Sequence, residues 1–221
     1  MQRPVAMPPA DRPRGCLFDL NGLLLDTEPL HSEAWTRAAA HFGAVLPGPL
    51  LMQLRGRNRF DNAATVIEQL GLAATVEELL AVQQPLSRSL MGRSQPIPGA
   101  CELLDRCRQV GIPTAIATSS SREAVRWKQS FHPWLAAVLV QVCGDDPEVG
   151  SGKPAPDLFL VAARRLGVEA EHCWAFEDSP AGAVAARAAG CRVFVLPAPG
   201  LGAAAYPPGA ELLPDLASVP L

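Results

Sequence analysis

A carboxylate stands at the end of an apolar run near the start of the chain. Residues 15–20 read Gly-Cys-Leu-Phe-Asp-Leu, and Asp19 is followed closely by Asn21 and Gly22. The run predicts a buried parallel strand, and open α/β sheets bind ligands at the carboxyl ends of such strands. Gly22 lets the backbone turn sharply away from this edge. Asp19 is therefore a candidate nucleophile.

Hydroxyl groups follow a second apolar run at Thr118, Ser119 and Ser120. Small residues at such a turn let hydroxyl and backbone N–H groups approach an oxyanion, and a phosphate would fit there. Serine-rich turns after strands are more often helix caps, so this signal is weak when it is taken alone.

Two further segments place charges beside apolar runs. Lys153 lies between Gly152 and Pro154, which restrict the backbone and allow the ammonium group to be aimed at one point. Glu177 and Asp178 end a strand-like run, where charge is costly unless a cation neutralises it. Mg²⁺ suits such oxygen ligands. The alternatives are that the lysine is only solvated and that Asp178 caps the next helix.

Short apolar runs alternate with segments of helical periodicity along most of the chain. The runs are Gly15–Leu20, Thr114–Thr118, Ala137–Val142, Cys173–Glu177 and Arg192–Leu196. The helical segments are Gly99–Val110, Arg122–Ser130, Pro156–Leu166 and Pro180–Ala189. A repeated βαβ pattern predicts the α/β class, with a doubly wound, mainly parallel, Rossmann-like sheet.

Residues 30–93 break this rhythm because they contain helix-like stretches and no convincing strand. The stretches are 32–42, 61–70 and 76–91. We therefore predict an α-helical cap domain at 30–93 that is inserted into a core made of residues 15–29 and 94–221. Such an insert would hang over the strand ends. Residues 1–14 are rich in proline and arginine and are predicted to be a flexible tail.

Composition limits the classes of protein to which the chain can belong. It has 221 residues, of which 48% are hydrophobic, and a formal net charge of −3. These values exclude a disordered chain, and they show no excess of basic residues of the kind that binds nucleic acid. No apolar run approaches the roughly 20 residues that a membrane span requires. The six cysteines form no Cys-x-x-Cys pair, so we expect reduced thiols in a cytoplasmic protein without nucleic-acid or membrane partners.

In their order and positions, the segments around Asp19, Thr118, Lys153 and Glu177 resemble the motifs of haloacid dehalogenase-like (HAD) phosphatases. The resemblance covers about residues 15–197 and extends to the subgroup with a helical cap after the first motif. Pseudouridine-5'-phosphatases, glycerol-phosphate and sugar-phosphate phosphatases and beta-phosphoglucomutases are similar. The first motif of the family is normally Asp-x-Asp-Gly, whereas this chain has Asn21 at the second aspartate.

The resemblance implies a mechanism and a Mg²⁺ cofactor. Asp19 would attack phosphorus to form an aspartyl-phosphate, and Lys153 would neutralise the charge that it shares with the phosphoryl group. The implied metal ligands are Asp19, the backbone carbonyl of Asn21, Asp178 and, through water, Glu177. The implied phosphate contacts are Thr118, Ser119, Ser120 and the N–H group of Asn21.

The resemblance also assigns substrate contacts or cap support to residues of the insert and its entry. These residues are Thr27, His31, Trp35, Gly56 and Arg59. Arg59 could pair with a second phosphate of a substrate or face solvent. His31 could equally cap a helix or pack. A small phosphorylated metabolite is the expected partner.

Asn21 has a direct chemical consequence because an amide cannot exchange a proton with the leaving oxygen or the attacking water. The loss of such acid–base catalysis costs about 100- to 10,000-fold. The first hypothesis is a slowed, Mg²⁺-dependent hydrolase of sugar, polyol or nucleoside monophosphates. The alternatives are a phosphosugar mutase, although residues 81–89 lack the lysine of mutases, and a catalytically weakened protein that binds a phosphorylated ligand.

Overall fold

A parallel sheet of six strands lies at the centre of the structure, a computed structural model that describes residues 12–221. In chain order, the strands are β1 (Gly15–Phe18), β2 (Leu25–Asp26), β3 (Gln95–Pro96), β4 (Thr114–Ala117), β5 (Val140–Val142), β6 (Cys173–Glu177), β7 (Arg192–Val195) and β8 (Glu211–Leu212). The sheet order is β5-β4-β1-β6-β7-β8, with all neighbours parallel. The predicted α/β class and its parallel sheet are confirmed.

The central position of β1 follows from its sequence, because all four of its residues are buried and apolar or small. A strand covered on both faces reads as a continuous apolar run. Phe18 pairs in register with Phe176 of β6 and Ile116 of β4, and the rings of Phe18 and Phe176 stack with centroids 4.7 Å apart. The residues that follow these three strands are therefore brought to one edge of the sheet.

Helices cover both faces of the sheet, as a doubly wound fold requires. They are α5 (Ala100–Gln109), α6 (Arg122–Phe131), α7 (Asp157–Leu166) and α8 (Pro180–Ala188). Leu103 and Val125 place α5 and α6 in one buried apolar cluster, whereas α7 and α8 belong to a second cluster on the opposite face. All four helices lie where the sequence predicts them, within one residue at each end.

The predicted helical insert lies between β2 and β3 and contains α1 (Glu28–His41), α2 (Gly48–Gln53), α3 (Arg59–Leu70) and α4 (Val76–Leu90). It has an apolar cluster of its own that includes Trp35, Val66 and Leu79. The helix α2 was not predicted, because six residues that include Gly48 and Pro49 give no helical periodicity. We call the part of the chain from α1 to α4 the cap.

The chain enters and leaves the cap at adjacent points. The strands β2 and β3 pair antiparallel through Leu25 and Pro96. Farther out, Arg88 of α4 lies over the ring of Trp127 in α6 at 4.4 Å and forms an ion pair with Glu123. The cap therefore rests on the core at both its base and its outer side.

Several differences from the sequence predictions have simple causes. The strand predicted at 137–142 begins only at Val140, because residues 133–137 form a 3-10 turn. The strand β8 was not predicted because it has two exposed residues. Of the predicted N-terminal tail at 1–14, residues 1–11 lie outside the described residues. The domain boundaries at 29/30 and 93/94 stay a prediction.

None of the described helices is long and apolar enough to cross a membrane.

Candidate active site

A buried lysine joins two carboxylates at the carboxyl ends of the central strands. Nζ of Lys153 lies 2.5 Å from Oδ1 of Asp19 and 2.5 Å from Oε1 of Glu177. All three side chains are at most about 5% exposed. Asp19 follows β1 and Glu177 ends β6, so the strand register creates this pairing. Burial alone would lower the pKa of Lys153, but Asp19 and Glu177 outweigh that effect and raise it, which keeps the lysine charged.

Asp178 completes a group of three buried carboxylates with Asp19 and Glu177, whose nearest oxygen atoms all lie within 4.8 Å of one another. Glu177 uses both oxygens on protein donors, because Oε1 accepts from Lys153 and Oε2 accepts from the Ser179 hydroxyl. Within residues 12–221, no donor contacts the Asp178 carboxylate. Its oxygens are therefore free to bind a cation.

Gly22 leaves room for the Asp178 carboxylate against the loop that follows Asp19. A Cβ atom at Gly22 would lie 2.2 Å from Oδ2 of Asp178, and the φ angle of +84° also favours glycine. The open carboxylate of Asp178 lies within 4.8 Å of a carboxylate oxygen of Asp19, so the two side chains offer oxygen donors to one point. Such hard ligands fit Mg²⁺. The residues present thus fit the ion that the sequence predicts.

Backbone N–H groups beside Asp19 are available to an anion. In the part of the chain that the structure describes, the amides of Asn21 and Ser119 donate to no protein acceptor. Thr118 is fully buried, and its hydroxyl oxygen accepts from the Ser120 amide at 3.2 Å. The Ser119 hydroxyl donates to the carbonyl of Gly56 in the cap at 2.8 Å. The predicted phosphate-binding groups therefore lie together, although the hydroxyls of Thr118, Ser119 and Ser120 all form hydrogen bonds within the protein as well.

A second buried lysine, Lys128, was not predicted as a site residue. Its Nζ donates to Oδ1 of Asn21 at 2.6 Å and to Oγ of Ser120 at 3.0 Å. Burial lowers its pKa to about 8, although Asp19 and Glu28 partly oppose the shift. One signal could have revealed it, because Lys128 follows Val125 by three residues and so lies on the buried face of α6.

An ion pair between Glu28 and Arg55 also escaped the sequence analysis. Its N···O distance is 3.5 Å, and both side chains are about 12% exposed. Burial raises the pKa of Glu28 to about 7, although Arg55 lowers it. Both residues line the same cavity as Asp19. Neither belongs to a recognisable motif, so only the fold brings them to the site.

A cavity of about 400 Å³ lies between the cap and the core. The core contributes Asp19, Asn21, Ser119, Ser120 and Lys128 to its lining. Of the cap residues predicted to contact substrate, four line it: His31, Trp35, Gly56 and Arg59. The structure therefore brings these four residues and Asp19 to one cavity. Their role as substrate contacts stays a prediction.

The individual environments of these cap residues differ. His31 is kept neutral, because burial and the neighbouring Lys128 lower its pKa to about 3. Nε of Arg59 is buried and has no hydrogen-bond partner among the described residues, and its guanidinium lies over the ring of Phe60. Thr27 is fully buried and is not part of the cavity lining. Its hydroxyl instead donates to Oδ1 of Asn21 at 3.2 Å.

The crowded carboxylates make the stability of the metal-free protein depend on pH. Burial raises the pKa of Glu177 from its ordinary value of 4.5 to about 7. Burial, with Glu28 and the neighbouring carboxylates, also raises the pKa of Asp178 well above its usual range. The folded state thus keeps protons that the unfolded chain releases. This contribution to stability is present below about pH 4.5 and is lost as the pH rises through about 7.

We expect the melting temperature in EDTA to decrease as the pH is raised from 5 to 8. We also expect Mg²⁺ to raise the melting temperature more at pH 8 than at pH 5. The ion favours ionised ligands and so offsets the repulsion. Thermal denaturation with and without Mg²⁺ checks this, with Asp178→Asn as the variant in which both effects should shrink. A melting temperature that is independent of pH in EDTA would contradict the prediction.

The fold and the site together define a class of protein. A capped, doubly wound sheet carries an aspartate at the end of a central strand, with a buried lysine and further carboxylates around it, and this edge of the sheet is where such folds bind ligands. The chain belongs to the haloacid dehalogenase-like hydrolase family, whose profile matches residues 13–190. The family resemblance expected from the motifs is thereby confirmed.

Relatives of known name agree with this assignment. The chain is 39% identical over 190 residues to a probable pseudouridine-5'-phosphatase of Drosophila melanogaster, a match that covers 84% of this chain and 82% of that protein. It is 35% identical over 191 residues to (DL)-glycerol-3-phosphatase 2 of Arabidopsis thaliana, covering 84% and 80%. The crystal structure of beta-phosphoglucomutase from Clostridium difficile has the same fold, with a TM-score of 0.80 at 20% identity over 93% of this chain and 92% of that one.

Proposed function

We propose that this protein is a Mg²⁺-dependent phosphatase of small phosphorylated metabolites that acts through an aspartyl-phosphate on Asp19. The observation that carries the proposal is the position of Asp19. One of its oxygens is held by Lys153, while the side chain lines a metabolite-sized cavity beside the open carboxylate of Asp178. The relatives named as a probable pseudouridine-5'-phosphatase and a (DL)-glycerol-3-phosphatase support this class of substrate.

The residues of the chain divide the reaction between them. Lys153 fixes Asp19 through Oδ1, so the free Oδ2 can attack phosphorus. The amides of Asn21 and Ser119 donate to the phosphoryl oxygens, where negative charge increases in the transition state. Asp19, the Asn21 carbonyl and Asp178 would hold Mg²⁺, which would supply the positive charge that a carboxylate needs to approach a phosphate. Water then hydrolyses the aspartyl-phosphate and regenerates Asp19.

A phosphosugar mutase is the second candidate, and one observation favours it. Three arginines of the cap, Arg55, Arg57 and Arg59, line the cavity and could pair with a second phosphate of a bisphosphate. Against it, the α4 segment that lines the cavity offers Gln83, Gln84 and Arg88 but no lysine. A mutase would need a bisphosphate activator and would release little inorganic phosphate.

The test is phosphate release from a panel of esters with Mg²⁺ and with EDTA. The panel contains a nucleoside 5'-monophosphate, glycerol 3-phosphate and a hexose 6-phosphate. We expect release in Mg²⁺, its loss in EDTA, and a decrease on the order of 1,000-fold or more in Asp19→Asn, which loses the nucleophile. Retained turnover in that variant would overturn the proposed role of Asp19. Little release of inorganic phosphate, together with isomerisation of the hexose phosphate only when a bisphosphate is present, would favour the mutase.

A further inference from the structure

Lys128 is a buried lysine that forms no ion pair among the described residues. It is 1% exposed, and its Nζ contacts only the amide of Asn21 and the hydroxyl of Ser120. Lys153, by contrast, bridges two carboxylates. A buried ammonium without a counter-ion is costly. Lys128 nevertheless lines the cavity beside Asp19, which points to a part in the chemistry.

The contacts of Lys128 fix how the Asn21 amide is turned. An ammonium group can only donate hydrogen bonds, so the atom of Asn21 that faces it must be the oxygen Oδ1. The hydroxyl of Thr27 donates to the same oxygen. The remaining polar atom of the amide is therefore Nδ2, which donates to Oγ of Ser120 at 3.0 Å. Its second hydrogen has no acceptor within residues 12–221. It is free to meet a ligand in the cavity.

We propose that Lys128 acts through Asn21 to stabilise the leaving oxygen of the substrate, in place of a proton donor. A cation at Oδ1 polarises the amide and strengthens its free N–H as a donor toward developing negative charge. This inference rests on the proposed phosphatase function and adds a preference to it. An N–H donor lowers the energy of an anion but does not protonate it. The site therefore favours phosphates whose leaving group is a stable anion, such as acyl, enol or aryl phosphates, over esters of simple alcohols.

The atoms balance without an acid or a base from the protein. The P–O bond to the leaving group breaks, its electron pair stays on the leaving oxygen, and a P–O bond to Oδ2 of Asp19 forms. A carboxylate, enolate or phenolate departs without needing a proton. In the second step, water attacks phosphorus, the bond to Asp19 breaks, and both protons of the water leave with the phosphate as H₂PO₄⁻. Lys128 is thus a positioning residue for Asn21 rather than a proton carrier.

The test compares the release of phenols from phenyl phosphates that carry substituents of graded leaving-group pKa, with Mg²⁺ and before the phosphoenzyme is hydrolysed. The wild-type rate should fall steeply as the leaving-group pKa rises, whereas Asn21→Asp, which restores an acid, should give a shallow dependence. Lys128→Met should slow phenyl phosphate about 100-fold but 4-nitrophenyl phosphate only about 10-fold, because the poorer leaving group carries more charge. Lys128→Arg keeps the charge and should keep the wild-type slope.

Two outcomes would overturn the inference. If Lys128→Met slows the release of every phenol by the same factor, the lysine has a purely structural role. If the wild-type rate depends on leaving-group pKa as weakly as the rate of Asn21→Asp does, the wild-type site needs no substitute for a proton donor. Thermal denaturation of each variant shows whether it is folded. If no form, including Asn21→Asp, releases any phenol, the proposed phosphatase function fails with it. If the esters are turned over but Lys128→Met depends on leaving-group pKa as the wild type does, the phosphatase function stands and only the role of Lys128 is rejected.

Discussion

The Asn21→Asp variant should release phosphate about 100- to 10,000-fold faster than the wild-type chain from esters of ordinary alcohols. Asn21 lies two residues after Asp19 and lines the cavity, and its Nδ2 has one acceptor, Ser120, among the described residues. An aspartate there could give a proton to the leaving oxygen and later take one from water, whereas the amide can do neither. The wild-type chain should therefore be slow in both halves of the reaction and should accumulate phosphoenzyme.

Initial rates of phosphate release with saturating Mg²⁺ measure this effect, and acid quenching followed by mass spectrometry of the intact chain detects the phosphoenzyme. Asn58→Asp is a matched control, because Asn58 caps α3 in the cap through its side-chain oxygen and an aspartate can do the same. That variant should keep the wild-type rate. If Asn21→Asp is no faster, proton transfer is not limiting, and a role in binding a phosphorylated ligand becomes the better hypothesis.

Lys153→Met should lose about 3–5 kcal/mol of folding free energy in EDTA, in addition to its activity. Lys153 is the cation that two buried carboxylates share, at 2.5 Å from each. Its removal leaves Asp19 and Glu177 facing each other without compensation. For a chain of this size, such a loss corresponds to a decrease of roughly 6–20 °C in melting temperature.

Lys128→Met is the matched control for that measurement. Both lysines are almost completely buried, but Lys128 contacts an amide and a hydroxyl rather than carboxylates. Its replacement removes a poorly compensated charge and leaves Asn21 with the hydrogen bond from Thr27. We expect a change within about 1.5 kcal/mol of zero, because Lys and Met have similar length and a buried charge is itself costly. Urea denaturation of both variants in EDTA at pH 7 checks the contrast. Equal losses would show that burial alone, and not pairing, determines the effect.

Much of the core could be predicted from the sequence because its strands are buried on both faces. Continuous apolar runs identified β1, β4, β6 and β7. Parallel strands align their carboxyl ends, and the register of β1 with β6 brings Asp19 and Glu177 together at one edge of the sheet, where the family resemblance implied a shared site. For these strands, the apolar runs of the sequence and the parallel topology of the sheet thus place the same residues at the same edge.

Other parts of the site could not be predicted, because their roles come from contacts between distant segments. The spacing from Val125 places Lys128 on the buried face of α6, but its contact with Asn21, 107 residues away along the chain, follows only from the packing of α6 beside the Asn21 loop. The hydroxyl of Thr27 was expected near the substrate, yet it contacts Asn21. The pair of Glu28 and Arg55 requires the cap to be packed on the core. Apart from the spacing of Lys128 from Val125, none of these features has a periodic or motif signature.

The short ladder of β2 and β3 constrains how the cap can move. The chain enters and leaves the cap at paired, neighbouring points. The cap can therefore rotate about the β2–β3 pairing as an axis, whereas sliding of the cap along the core would disrupt the pairing of Leu25 with Pro96. Leu25 also bridges to Asn21, so the axis passes next to the reacting end of the cavity. In any such rotation, atoms near this axis move least, whereas the far wall of the cavity at Arg88 can move only after Arg88 releases Glu123 and Trp127 of the core. The geometry of bond breaking can thus stay constant while the far wall adapts to substrates of different shape.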